Sequence, residues 1–149
     1  MREIKLLYFD EWLNFGDELN MYLANKLHNK VRCSNRFWCN AVFVGSMLER
    51  FFSNYNIMIR AFFLVLPRVY VWGTGYLLPP PADKSKLLRR LYVRACRGRL
   101  TLERLERQTF AKVSNDVVLA DPGLLAGRFT DTVMNECYYE SKHNKESII

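Results

Sequence analysis

Four short segments of this 149-residue chain carry residues that could do chemistry. They are Asn14-Phe15-Gly16-Asp17, Gly45-Ser46, Gly73-Thr74-Gly75 and Asp121-Pro122-Gly123. In the first, Gly16 lets the backbone approach a ligand closely. The helix that follows presents unpaired N–H groups, a ready anion site. Asp17 can accept a proton or a hydrogen bond from a sugar hydroxyl once it lies within reach of one. The same residues also suit a plain strand-to-helix turn capped by Asp17. Arg94, Arg97 and Arg99 gather around Gly98, and guanidinium forks suit phosphate or carboxylate. A solvated basic edge is the other reading of those arginines.

Several chemistries are excluded by spacing. Gly73-x-Gly75 follows an apolar run, but the third position of a dinucleotide-binding glycine motif is Leu78 and a triple proline follows it. Gly45-Ser46 lacks the second glycine of a nucleophile elbow. Cys33, Cys39, Cys96 and Cys137 form no C-x-x-C pair, and His28 and His143 form no H-E-x-x-H. The pattern argues against a zinc site, and nothing requires disulfides. Cys96, in an apolar run, reads as a small buried hydrophobe.

The elements that must position these loops alternate. Strands are expected over residues 4–9, 31–33, 41–44, 69–72, 91–96 and 116–120, and helices over 17–28, 47–52 and 101–107. On the first helix Leu19, Tyr22, Leu23 and Leu27 share one face. This order points to an α/β layer fold with a mostly parallel sheet, whose ligand site lies at the carboxyl ends of its strands. The four segments above all follow such ends. Residues 61–66 form the most apolar run and read as a buried strand or a short core helix. A membrane-surface patch is the alternative, since Phe62 and Phe63 sit between arginines. No run reaches the ~20 residues that span a bilayer, and the start is no signal peptide.

Composition bounds the partners. The chain is half hydrophobic and one quarter charged, which fits a globular domain rather than a disordered one. A net charge of +7 favours acidic partners. Nucleic acid is not expected, because most aromatics sit inside apolar strands rather than among basic residues on one face.

Five blocks in order, N-F-G-D-E-L-N, V-G-S-M-L, V-W-G-T-G-Y, R-A-C-R-G-R-L-T and D-P-G-L-L, resemble the N-terminal part of the polysaccharide pyruvyl transferases, over residues 4–129. The resemblance implies transfer of the enolpyruvyl unit of phosphoenolpyruvate, as donor substrate, onto a sugar or lipid-linked saccharide. It implies no metal in the chemistry, and two Rossmann-like domains facing each other as in a GT-B-like enzyme. Residues 1–129 are then the first, acceptor-side domain. Residues 130–149 read as a polar linker and the start of a second domain, which holds the groups that grip phosphoenolpyruvate. On this reading the 149 residues alone do not catalyse transfer.

By position, the resemblance places Asn14, Gly16, Asp17, Gly45, Ser46, Gly73, Thr74, Gly75, Arg97 and Asp121 at the cleft, with Asp17 as the catalytic group. Arg97 then binds a phosphate or carboxylate. The family's R-G-P-x-T block has Arg99 in place of its proline here, and the stretch 52–68 is longer than usual. A cytoplasmic location follows, with peripheral association at the inner face of the membrane left open. The other readings are a non-catalytic sugar- or nucleotide-sugar-binding remnant, and half of a GT-B glycosyltransferase.

Overall fold

The computed structural model describes residues 3–7, 15–27, 30–53, 55–78, 86–108 and 110–129. The apolar run after Glu3 forms β1 (Ile4–Leu7), and helix α1 (Phe15–Leu27) follows. Next come β2 (Val31–Ser34), β3 (Ala41–Val42), a 3-10 helix (Leu48–Phe51) and β4 (Phe52–Ser53). Helix α2 (Ile57–Val65) leads into β5 (Val69–Trp72), β6 (Lys86–Leu87) and β7 (Leu91–Cys96). Helix α3 (Arg99–Glu106), β8 (Ala111–Leu119), a second 3-10 helix (Pro122–Leu125) and α4 (Ala126–Phe129) complete the described order.

Six strands form one sheet in the order β2-β1-β3-β5-β7-β8, and every neighbouring pair is parallel. From β1 the chain steps outward to β2, then returns across β1 to β3 and continues through β5, β7 and β8 in the other direction. The reversal lies between β1 and β3. Open α/β sheets bind ligands beside such a switch point. Crossovers of one hand that run in opposite directions place their helices on opposite faces. Accordingly α1 packs Leu19, Leu23 and Ala24 against Leu6, Ala41 and Phe43 on one face. On the other, Leu105 of α3 joins Val69, Val71, Leu91 and Val93. The architecture is α/β and Rossmann-like. The strands β4 and β6 pair antiparallel beside it.

Several expectations shift. Helix α1 begins two residues before Asp17, and its buried stripe is Leu19, Asn20, Leu23 and Ala24, whereas Leu27 is exposed. The stripe turns because Asn20 enters the core to bind the end of β3. Helix α3 begins at Arg99, two residues earlier than expected, with Gly98 as its N-cap and Thr101 buried inside it. Strand β8 begins five residues earlier than expected, at Ala111. Its partner register jumps from Val93↔Val113 to Ala95↔Val118. The bulge is held by Arg94, whose Nη1 donates to Ser114 Oγ at 3.3 Å, and by Ser114 Oγ donating to Asp116 Oδ1 at 2.5 Å. This polar stretch hid the strand's first half from a reading based on apolar runs. Residues 130–149 lie outside the described ones.

Residues 61–65 are helical rather than a strand, Leu66 is the extended residue that ends the helix, and none of the six is buried. Asn56 caps α2, accepting from Ile59 N at 3.0 Å. The helix attaches through Phe63, whose ring stacks on Phe37 at 4.8 Å.

The connection from β2 to β3 contains no helix. Residues 35–40 recross β1 as a loop, and their backbone N–H and C=O groups need the partners that a helix would have supplied. Asn35 Oδ1 accepts from Phe37 N and Trp38 N. Asn40 donates to Glu3 O at 2.9 Å and accepts from Lys5 N at 2.8 Å, stitching the loop to β1. The buried Arg89, just before β7, donates to the carbonyls of Arg36, Phe37, Cys39 and Pro67.

Candidate functional site

The loops that follow β3, β5 and β7 converge at the carboxyl edge of the sheet. Thr74 ties two of them together. Its buried hydroxyl donates to Gly45 O at 2.8 Å and accepts from Met47 N at 3.0 Å. Gly75 N donates to the same carbonyl at 3.0 Å. Arg97 adds the third loop: its Nη2 donates to Gly45 O at 3.1 Å and to Ser46 Oγ, and its own N–H donates to Thr74 O at 3.3 Å. Gly45, Ser46, Thr74, Gly75 and Arg97 are thus one cluster.

Two of the glycines are required by geometry. Gly73 has φ of +102°, and a Cβ there would stand 2.0 Å from Pro122 Cδ. Its hydrogen atom is what lets the Asp121-Pro122-Gly123 turn seat on the end of β5. Gly75 has no such strain, but a Cβ there would meet Arg97 Nε at 2.8 Å. Glycine at 75 therefore makes room for the Arg97 side chain.

Asp121 lies on the same side, beyond β8, and its Oδ1 accepts from Gly123 N at 2.8 Å, capping the second 3-10 helix. Gly16 and Asp17 fall in the first turn of α1. That turn follows β1, so it enters the edge next to the Gly45-Ser46 loop at the switch point. Asn14 lies outside the described residues, as do the side chains at 15–17.

The three arginines do not form a cluster. Arg97 stays at the carboxyl edge. Arg94 lines a groove on the sheet face that carries α1 and approaches Asp116 at 3.9 Å. Arg99 pairs with Glu103 one turn on, at 3.2 Å. Arg99 stands at the first position of α3, where a proline is tolerated because that N–H has no intrahelical partner.

Residues that carried no signal in the sequence hold the cluster in place. Asn20 of α1 accepts from Val44 N at 2.8 Å and donates to Val44 O at 3.3 Å, clamping the chain just before Gly45. A polar residue inside the apolar stripe of α1 was the available clue. Glu49 Oε1 accepts from Leu77 N at 2.5 Å and Leu78 N at 3.0 Å, fixing the exit from Gly75. Arg104 of α3 donates to Leu78 O at 3.1 Å and lies 3.6 Å above the Tyr76 ring. Burial pushes the Tyr76 hydroxyl well above the usual tyrosine range, with Arg104 opposing it. Tyr76 is thus a neutral wall of the loop. Nothing local in the sequence links Glu49 or Arg104 to residues almost thirty positions away.

The edge offers an exposed guanidinium, one hydroxyl, and the N-terminal end of a 13-residue helix. Those groups suit an anion or an oxygen-rich ligand. Among the described residues no group of three or more His, Cys, Asp or Glu could hold a metal ion. Cys33, Cys39 and Cys96 are free thiols, and Cys96 is buried in β7, as its apolar run suggested. A separate groove of about 590 Å³ lies beside α1 on the face of the sheet that this helix packs against and runs to the amino edge, lined by Tyr70, Trp72, Arg68 and Arg94 among others. Tyr70, although in a strand, is 53% exposed there.

No protein-family model, curated protein or solved structure matches the chain.

Proposed function

We propose that these residues form the acceptor-side domain of a pyruvyl transferase, one that builds a pyruvate ketal from phosphoenolpyruvate on a sugar of a cell-surface polysaccharide or its lipid-linked precursor. In that reaction the enol carbon takes a proton on its methylene, bonds two sugar oxygens and releases phosphate. The observation that carries the reading is the gathering of the V-G-S, W-G-T-G and R-A-C-R-G blocks into one cluster at a switch point, with Arg97 exposed at its rim. Those blocks are the ones on which the family resemblance rests.

In this reading Arg97 and the first turn of α1 hold an anionic group. Ser46 and the Gly45 backbone contact hydroxyls, and Asp17 accepts the proton of the attacking one. Gly16 lets the acceptor come close, with Asn14 and Asp121 at the margins. Gly73, Thr74 and Gly75 act by shaping the loops. A second, GT-B-like domain supplies the groups for phosphoenolpyruvate, and the reaction takes place in the cytoplasm, at the inner face of the membrane.

The test is acceptor binding measured by calorimetry, with ketal formation followed by mass spectrometry. The chain binds an anionic or lipid-linked saccharide, Arg97→Met weakens that binding about tenfold or more, and no ketal forms from phosphoenolpyruvate with the chain alone. Release of sugar from a nucleotide-sugar donor, or binding indifferent to Arg97→Met, would remove the reading.

A further inference from the structure

Helix α2 is amphipathic the wrong way round for a core helix. Met58, Phe62 and Val65 fall on one stripe at i, i+4 and i+7, and they are 79%, 59% and 79% exposed. The helix's one charged residue, Arg60, is buried instead. Two more large apolar side chains extend the patch. Tyr55 precedes the helix, and Trp38, 57% exposed, follows Phe37, whose ring stacks on Phe63. Contiguous exposed apolar surface of this kind marks an interaction site.

The charged groups at the two ends of the patch are basic. Arg36 donates to Tyr55 Oη at 3.3 Å, and its guanidinium lies 4.7 Å from the centre of the Phe37 ring, bordering one end. Arg68, exposed, lies three residues beyond the other end. From Leu19 to Ala82 the chain has seven Lys and Arg and a single acid, Glu49. That acid accepts hydrogen bonds from the backbone of Leu77 and Leu78. Nearly all of the chain's net positive charge therefore resides in the segment that carries the patch.

We propose that this face docks on an anionic lipid bilayer surface. Met58, Phe62 and Val65 enter the acyl boundary, Trp38 and Tyr55 lie at headgroup level, and Arg36 and Arg68 meet lipid phosphates. No described helix is long and apolar enough to cross a membrane, so α2 lies on the surface. The inference does not depend on pyruvyl transfer. It rests on α2 and its surroundings, at the opposite side of β5 from the Gly73-Thr74-Gly75 loop.

Co-sedimentation of the full chain with vesicles tests it, using phosphatidylcholine alone and phosphatidylcholine mixed with phosphatidylglycerol. The chain pellets with the mixed vesicles, less so as salt rises, and Trp38 emission shifts to the blue. Met58→Ser/Phe62→Ser/Val65→Ser, which removes only exposed side chains and leaves thermal unfolding intact, lowers binding about tenfold or more. Arg68→Gln lowers it roughly fivefold. The proposal is overturned by failure to pellet with either vesicle. It is equally overturned if the triple variant binds as well as the parent, or if the parent forms a dimer that the triple variant loses while neither binds lipid. The vesicles contain no saccharide and no phosphoenolpyruvate, so none of these results bears on the transfer reaction.

Discussion

Arg89 and Arg97 bracket strand β7, one before its first residue and one after its last, and they face opposite edges of the sheet. Arg89 is 1% exposed, and its two terminal nitrogens supply four carbonyls of the loop 35–40 and of Pro67. Burial lowers its pKa from the usual arginine value, with Cys39 opposing the shift and Arg90 adding to it. Arg97 is exposed, and both of its side-chain hydrogen bonds among the described residues leave from Nη2, to Gly45 O and Ser46 Oγ. The same side chain is a structural staple where its fork is consumed by backbone, and a ligand-ready group where the fork faces solvent. The amino edge of the sheet is therefore closed by its own backbone contacts, whereas the carboxyl edge leaves an exposed guanidinium for the binding proposed above.

The sharpest way to break that contrast is to remove each arginine. Arg89→Met leaves four carbonyls short of a donor in a buried setting, at a cost of about 3–5 kcal/mol. A chain of this size has only roughly 5–15 kcal/mol in total. Arg89→Lys recovers less than half, because a lysine cannot span four acceptors. Arg97→Met changes stability by less than about 1 kcal/mol, as exposed substitutions do. Urea midpoints for the three variants decide it, and equal losses at the two sites would erase the distinction.

Gly73→Ala comes next. The added methyl meets Pro122, and the backbone at φ +102° disfavours it independently, for a combined loss of about 2–4 kcal/mol. Pro122→Ala in the same chain relieves the steric part alone. A double-mutant cycle should therefore give a coupling of about 1 kcal/mol or more. Additive losses would mean that the D-P-G turn does not seat on β5 as described.

These two sites also mark how far the sequence could be read. The strands 69–72 and 91–96 were legible to the residue, because parallel strands buried on at least one face show as apolar runs. The positions of Gly45, Ser46, Thr74 and Arg97 followed, since each comes directly after such a run. Arg89 was invisible: it stands next to Arg90 in a basic stretch, and only the fold brings residues 36–39 to it. Pro122 against Gly73 was equally hidden, although both motifs were singled out, because nothing local says that two strand ends touch. Helix α2 was misplaced for a different reason. Its apolar residues were counted as core, and only the fold shows that the buried cluster is completed by other elements, Leu48 and Phe51 among them, with no residue of α2 in it.

A smaller effect separates shaping from binding within the carboxyl edge itself. Thr74→Val keeps the shape and removes both hydrogen bonds to the Gly45 loop, at a cost of about 1–2 kcal/mol. Because Arg97 binds the same carbonyl, the loop loosens and ligand affinity falls although no ligand contact is deleted. Affinity that holds steady would show that Arg97 and Gly75 N suffice to fix Gly45.

The smallest expected effect lies at the amino edge and is set by pH. Burial pushes the Cys39 thiol up to about 12, against a weaker opposing pull from Arg89. The folded chain therefore favours the neutral thiol more than the unfolded chain, where a free cysteine ionises near ~8.5. The associated stability is fully present below that value and declines as pH rises through the interval up to about 12. Cys39→Ala removes the ionisable group, so its melting temperature should fall less steeply than the parent's between neutral and strongly alkaline pH. In the parent at mildly alkaline pH, iodoacetamide should modify the exposed Cys33 well before Cys39 or Cys96, both buried. Rapid labelling of Cys39 would mean that the loop 35–40 opens readily, and that Arg89 does not hold the amino edge as tightly as its four carbonyls imply.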